Sequence, residues 1–96
     1  MRKIEKQMID AVMSRTRWSN SNTRVECNTP TTAEIFLHNN HIATFDNATD
    51  VLRVNLYTLR KWPSMTTRSR LRALGADLVS IKGTLHLNGK NIWEGA

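Results

Sequence analysis

Apolar residues recur along the chain first with the period of a helix and then with that of a strand. Over residues 3–14, KIEKQMIDAVMS, Ile4, Met8, Ala11 and Val12 stand at i, i+4, i+7 and i+8, which gathers them on one helical face; Ile9 and Met13 widen the stripe. Arg15 and Arg17 follow at the end where cations suit the helix dipole, and SNSN at 19–22 stops the run. The pattern predicts an amphipathic helix packed on a core. Its stripe is too short, and its flanking charge too mixed, for a membrane anchor.

Period-two alternation then takes over. TRVECN (23–28) alternates Val25 and Cys27 with Arg24 and Glu26, and RVNLYT (53–58) alternates Val54 and Leu56 with Arg53, Asn55 and Tyr57, so both read as strands. AEIFLHNNHIATF (33–45) reads as a hairpin turning at Asn39-Asn40, with Leu37 opposite Ile42, Ile35 opposite Thr44, and Phe36, Ala43 and Phe45 on the other face. Because both faces are partly apolar, this hairpin is expected at the centre of a sheet. Near the C-terminus, a loop at Lys82-Gly83-Thr84 aligns Val79 and Ile81 with Leu87 and Leu85, and Asn88-Gly89 is the strongest hairpin dipeptide in the chain.

Between the strand groups lies TLRKWPSMTTRSRLRALGA (58–76). Pro63 disfavours helix at Trp62, Thr66 or Thr67 is a candidate N-cap, Leu71 and Leu74 face inward, and Gly75 supplies the left-handed C-terminal residue. A helix of about two turns over 67–74 follows, too short to stand without a sheet beneath it. The expected fold class is α+β: an antiparallel sheet of about five to seven short strands with an N-terminal amphipathic helix and a second short helix, ordered α-β-β-β-β-α-β-β-β.

Length and composition narrow this little. Ninety-six residues suit a single domain over 1–96, and 40% hydrophobic with 23% charged residues is ordinary globular usage. The one cysteine, Cys27, reads as a small apolar side chain and fits a reducing compartment. The apolar runs are too short for a membrane span and the N-terminus too polar for a signal peptide, so a soluble protein of the cytoplasm is expected.

Charge changes the picture more. Fourteen basic residues against eight acidic leave a formal charge of +6. Between Val51 and Ala76, Arg53, Arg60, Lys61, Arg68, Arg70 and Arg72 occur without one acid; a second basic set, Arg2, Lys3, Lys6, Arg15, Arg17 and Arg24, is diluted by Glu5 and Asp10. Arg68 in the first turn of its helix opposes the positive end of the macrodipole, so local stability does not ask for it. A docked anion would: the hydroxyls of Thr66, Thr67 and Ser69 and the Arg68 and Arg70 guanidiniums converge there, and Arg53, Arg60, Lys61 and Arg72 extend the contact. The bland alternative is a solvated basic surface. Tyr57 and Trp62 are candidates to stack on an unpaired base, although a Trp beside a Pro is more often a packing anchor. On a helical wheel Arg68 and Arg72 share one flank of the leucine stripe and Arg70 takes the other, which disfavours a major-groove recognition helix.

Catalytic chemistry finds no support. No Ser or Cys sits in a glycine elbow, the acids are scattered singly, and no glycine-rich phosphate loop occurs. His38 and His41 bracket the Asn-Asn turn, but two imidazoles fall short of the three or four ligands zinc requires. No enzymatic activity, cofactor or metal is expected.

With IFLHNNHIATF, TTRSRLRAL and GTLHLNGKNIW in place, the chain resembles a set of small proteins encoded by tailed bacteriophages, which carry a leucine-His-Gly/Asn hairpin followed by Ile-Ala, a Thr-Thr-x-x-Arg-Leu helix and a closing strand. The pattern runs from about residue 23 to residue 93, and Asn39 stands where those proteins often have Gly. The resemblance carries no activity or catalytic residue. It implies a phage accessory protein acting in an infected bacterium by binding nucleic acid or by binding and inhibiting a host protein such as a nuclease, polymerase or defence component; binding nucleic acid through phosphate contacts of the basic segment carries weak sequence selectivity. On the first reading affinity falls steeply with salt, and replacing Arg68 together with Arg70 flattens that dependence. A homo-oligomer closed through open sheet edges is compatible with either.

Overall fold

The computed structural model describes residues 1–94. The helix predicted over 3–14 forms as α1, Lys3–Ser14, and buries Met8, Ala11 and Val12. It buries Glu5 as well, on the same face and within the apolar stripe. Its C-terminus closes with Arg15 in the left-handed region, φ 49°, where the Arg15 N–H bonds Val12 O and the Thr16 N–H bonds Ala11 O.

Five antiparallel strands follow in the spatial order β1-β2-β3-β4-β5: β1 Trp18–Asn20, β2 Thr23–Glu26, β3 Thr32–Leu37, β4 Asn40–Asp46 and β5 Val51–Val54. β1 departs from the expectation, since SNSN reads as a break; its pairing with β2 turns that segment into a hairpin. The hairpin of β3 and β4 is central, as expected, but its register differs. The turn is His38-Asn39, both at positive φ, so Leu37 faces Asn40 and Phe36 faces His41; a bulge then sets Ile35 against Ala43. The extra residue lets Ile42 and Ala43 both be buried, while Phe36 lies among half-buried residues in register with Arg24 and His41, apart from the Ile35, Ala43 and Phe45 set.

RVNLYT is not a continuous strand. Asn55 accepts the Thr58 N–H with its side chain and starts α2, Leu56–Lys61, which ends before Pro63. Ser64, rather than Thr66 or Thr67, caps α3, Met65–Ala73: its Oγ accepts the Thr67 N–H at 3.2 Å. The helix ends as expected at Gly75, φ 103°, with Gly75 N–H on Arg72 O and Ala76 N–H on Leu71 O.

A second antiparallel sheet, β6 Leu78–Ile81, β7 Thr84–Leu87 and β8 Lys90–Asn91, closes the described chain. Its first turn holds two residues, Lys82-Gly83, so Val79 pairs with His86 and Ile81 with Thr84. That one-residue difference from the expected loop exposes Val79 and Ile81 and sends Leu78 and Leu85 inward. The Asn88-Gly89 turn forms as expected. The helices pack on the large sheet, and one cluster of buried residues, including Met8, Ile35, Leu59, Leu71, Leu78, Leu85 and Ile92, joins the three helices to both sheets. Cys27 is free, half-buried and packed against this cluster.

Candidate functional site

The arginine in the middle of α3 is committed to the protein itself. Leu71 and Leu74 turn into the core, and Arg70 follows on the flank facing α1 and β2, where it is only 4% exposed. Its Nη1 donates to Glu5 Oε2 at 2.9 Å and its Nε to Thr23 Oγ1 at 3.1 Å, while Ser69 Oγ donates to the same Glu5 oxygen at 2.5 Å. Burial pushes the Glu5 carboxyl up, but the hydrogen bonds from Ser69 and Arg70, the Arg70 charge and a bond from the Arg2 backbone outweigh it and hold the group below its ordinary value. Arg70 is therefore removed from the anion contact expected of it, and the Ser69 hydroxyl is engaged as well. The signal is present in the sequence: Met8 and Val12 lie at i+3 and i+7 from Glu5, which makes Glu5 an acid inside an apolar stripe.

The other expected residues fall into three groups. Arg60 donates from Nε to Ile92 O, fastening the second sheet to α2, and Arg72 donates from Nε to Leu78 O at 2.7 Å while its side chain stays at the surface. Lys61 Nζ stands over the rings of Trp62 and Tyr57, 4.8 and 5.7 Å from their centroids. Arg53 is exposed on β5 in register with Thr44 and lines neither of the grooves beside α3.

Those two grooves flank the first turn of α3. One, of about 580 Å³, runs between α3 and the start of α1 and is lined by Met1, Arg2, Glu5, Met65, Arg68, Ser69, Arg72 and Ala73. Arg68 and Arg72 stand one turn apart on the same flank, as the helical wheel implies, and Arg2 joins them from the N-terminal basic set. Among the described residues that line it, the one carboxylate is Glu5, already neutralised by Arg70. Arg2 is not a candidate from the sequence, because nothing local connects residue 2 to residue 68. Among the described residues, three Lys or Arg side chains meet a carboxylate: Arg17 and Arg24 at Glu26, and Arg70 at Glu5. Arg2, Arg68 and Arg72 are outside that set.

The second groove, of about 440 Å³, lies between the tip of the β3–β4 hairpin and the junction of α2 with α3. Leu37, His38, Asn40, Ile42, Thr58, Trp62, Ser64, Thr66 and Thr67 line it. Trp62 and the two threonines are thus gathered, but on the opposite side of α3 from the arginines. The Thr67 hydroxyl is buried against Ser64 Oγ at 3.0 Å. Tyr57 lines neither groove and is 71% exposed.

His38 and His41 do not face each other. His38 occupies the turn, whereas His41 bonds Thr44 Oγ1 through Nε2 at 2.8 Å and Asn55 Nδ2 through Nδ1 at 3.0 Å. Among the described residues no three His, Cys, Asp or Glu side chains are grouped to hold a metal ion, and no helix is long and apolar enough to cross a membrane. A family model described as Kyanoviridae Gp96 protein matches residues 1–94. No curated protein and no solved structure matches the chain.

Proposed function

Since the chain belongs to the Kyanoviridae Gp96 family of tailed-phage proteins, we propose that it is a non-enzymatic phage accessory protein of the infected cell that binds nucleic acid through backbone phosphates. Arg2, Arg68 and Arg72 make the contacts. The observation that carries this reading is their convergence on one groove in which the single carboxylate among the described lining residues, Glu5, is consumed internally. Three guanidiniums without acidic partners among the described residues, in a molecule of net charge +6, are a standing electrostatic attraction for a polyanion. Sequence selectivity is weak, because the contacts are to phosphates and carry no base information, and because α3 is held in the core through Leu71 and Arg70 and presents only its Met65, Arg68 and Arg72 flank.

The test is a salt titration of binding to labelled single- and double-stranded oligonucleotides. Affinity falls steeply with salt, and the triple variant Arg2→Ala/Arg68→Ala/Arg72→Ala lowers the slope of log K against log salt by about 0.7–0.9 for each phosphate that is no longer neutralised. Absent or salt-insensitive binding to both probes removes the proposal.

A second reading, inhibition of an acidic host protein, draws on Met1 and Met65, which are 73% and 74% exposed at the groove and give it an adaptable apolar rim. Capture from host lysate separates the two: a stoichiometric protein partner that survives nuclease treatment favours inhibition.

A further inference from the structure

We infer that the groove on the other side of α3 is a slot for an unpaired nucleobase, so that the ligand is a single strand whose phosphates lie along Arg2, Arg68 and Arg72. The inference rests on the nucleic-acid reading above and adds to it the class of ligand. Its first support is the chemistry of the lining. Leu37 and Ile42 are almost fully buried and form an apolar base, and Trp62, 45% exposed, offers an aromatic side. No Lys, Arg, Asp or Glu is among the described residues that line the groove, although Lys61 Nζ stands 4.8 Å from the centroid of the Trp62 ring; the lining itself suits a neutral, flat, apolar-faced group.

Its second support is the polar edge. The side chains of His38, Asn40 and Thr66 line this groove, and none has a hydrogen-bond partner within the described chain. An apolar floor ringed by unengaged donors and acceptors fits a heteroaromatic ring with hydrogen-bonding edges better than an aliphatic side chain, which would leave them unpaired. The third support is position. Met65 lines the arginine groove while Ser64 and Thr66 line this one, so only the first turn of α3 separates them, a helix width of about 10–12 Å. One short strand can therefore cross that turn with its backbone on the arginines and a base beside Trp62. A duplex cannot, because its bases are paired and stacked.

The experiment uses the full chain and three fluorescein-labelled probes of equal length: oligothymidylate, an abasic phosphodiester of the same charge, and a duplex. Oligothymidylate is expected to bind at least ten-fold more tightly than either of the others at matched salt. Trp62→Ala abolishes that preference while leaving the salt slope unchanged, and Trp62→Phe retains most of it; Trp62 is 45% exposed, so each variant is compared with the parent by chemical denaturation and the probes are read only where it is folded. Equal binding of oligothymidylate and the abasic probe, or a preference that survives Trp62→Ala, overturns the base slot while the arginine-dependent salt slope upholds phosphate binding. Loss of binding to all three probes at low salt overturns both.

Discussion

Among single residues, the Glu5–Arg70 pair decides how the basic segment must be interpreted. Removing one partner of a buried ion pair strands the other, and the cost typically reaches about 3–5 kcal/mol. Arg70→Ala is therefore expected to lose a large part of the stability of a domain this size, seen as a lower urea midpoint, whereas Glu5→Leu/Arg70→Met recovers most of it by leaving no charge behind. Any loss of nucleic-acid binding in Arg70→Ala then reports folding, which is why Arg68 and Arg72 form the informative pair. The same site sets an acid limit. A carboxyl whose value is lowered in the fold contributes stability that is fully present above the unfolded value of about 4.3 and is lost as pH falls through the lowered folded value. Stability to urea, followed from about pH 6 down to pH 3, should fall for the parent, and less steeply for Glu5→Gln, which cannot ionise.

Among the helices and strands, existence is more legible than termini. The observed bounds of α1 follow from its continuous stripe, but α3 begins at Met65 because Ser64, directly after Pro63, is free to cap it. Ser64→Ala is expected to cost about 1 kcal/mol, since the Thr67 N–H loses its acceptor. Gly75→Ala is expected to cost about 1–2 kcal/mol although a Cβ there meets nothing within 4 Å, because the penalty lies in the backbone at φ 103°. Chemical denaturation measures both. Strand register is the weaker inference throughout. One residue in the His38-Asn39 turn and one in the Lys82-Gly83 turn decide which side chains face inward, and Asn or Lys at positive φ carries too faint a signal to fix either.

For the molecule as a whole, the surplus of positive charge opposes folding through its own repulsion. Raising sodium chloride from about 20 to 300 mM is thus expected to raise the thermal midpoint at pH 7 while weakening nucleic-acid binding, two opposite responses to the same screening. Thermal melts and binding isotherms in the same buffers would check this. Periodicity and composition suffice for the α+β class, the first helix, the central hairpin and the presence of more basic charge than the protein's own acids can match, because these are local or additive quantities. Which arginines stay available depends instead on how the chain packs. Arg70 is matched by an acid 65 positions away, Arg60 reaches a carbonyl in the C-terminal part of the chain, and Arg2 arrives from the far end beside Arg68 and the exposed Arg72. Whether a side chain faces solvent or a buried carboxylate is set by how helices cross, and that crossing is fixed by packing between elements distant in sequence.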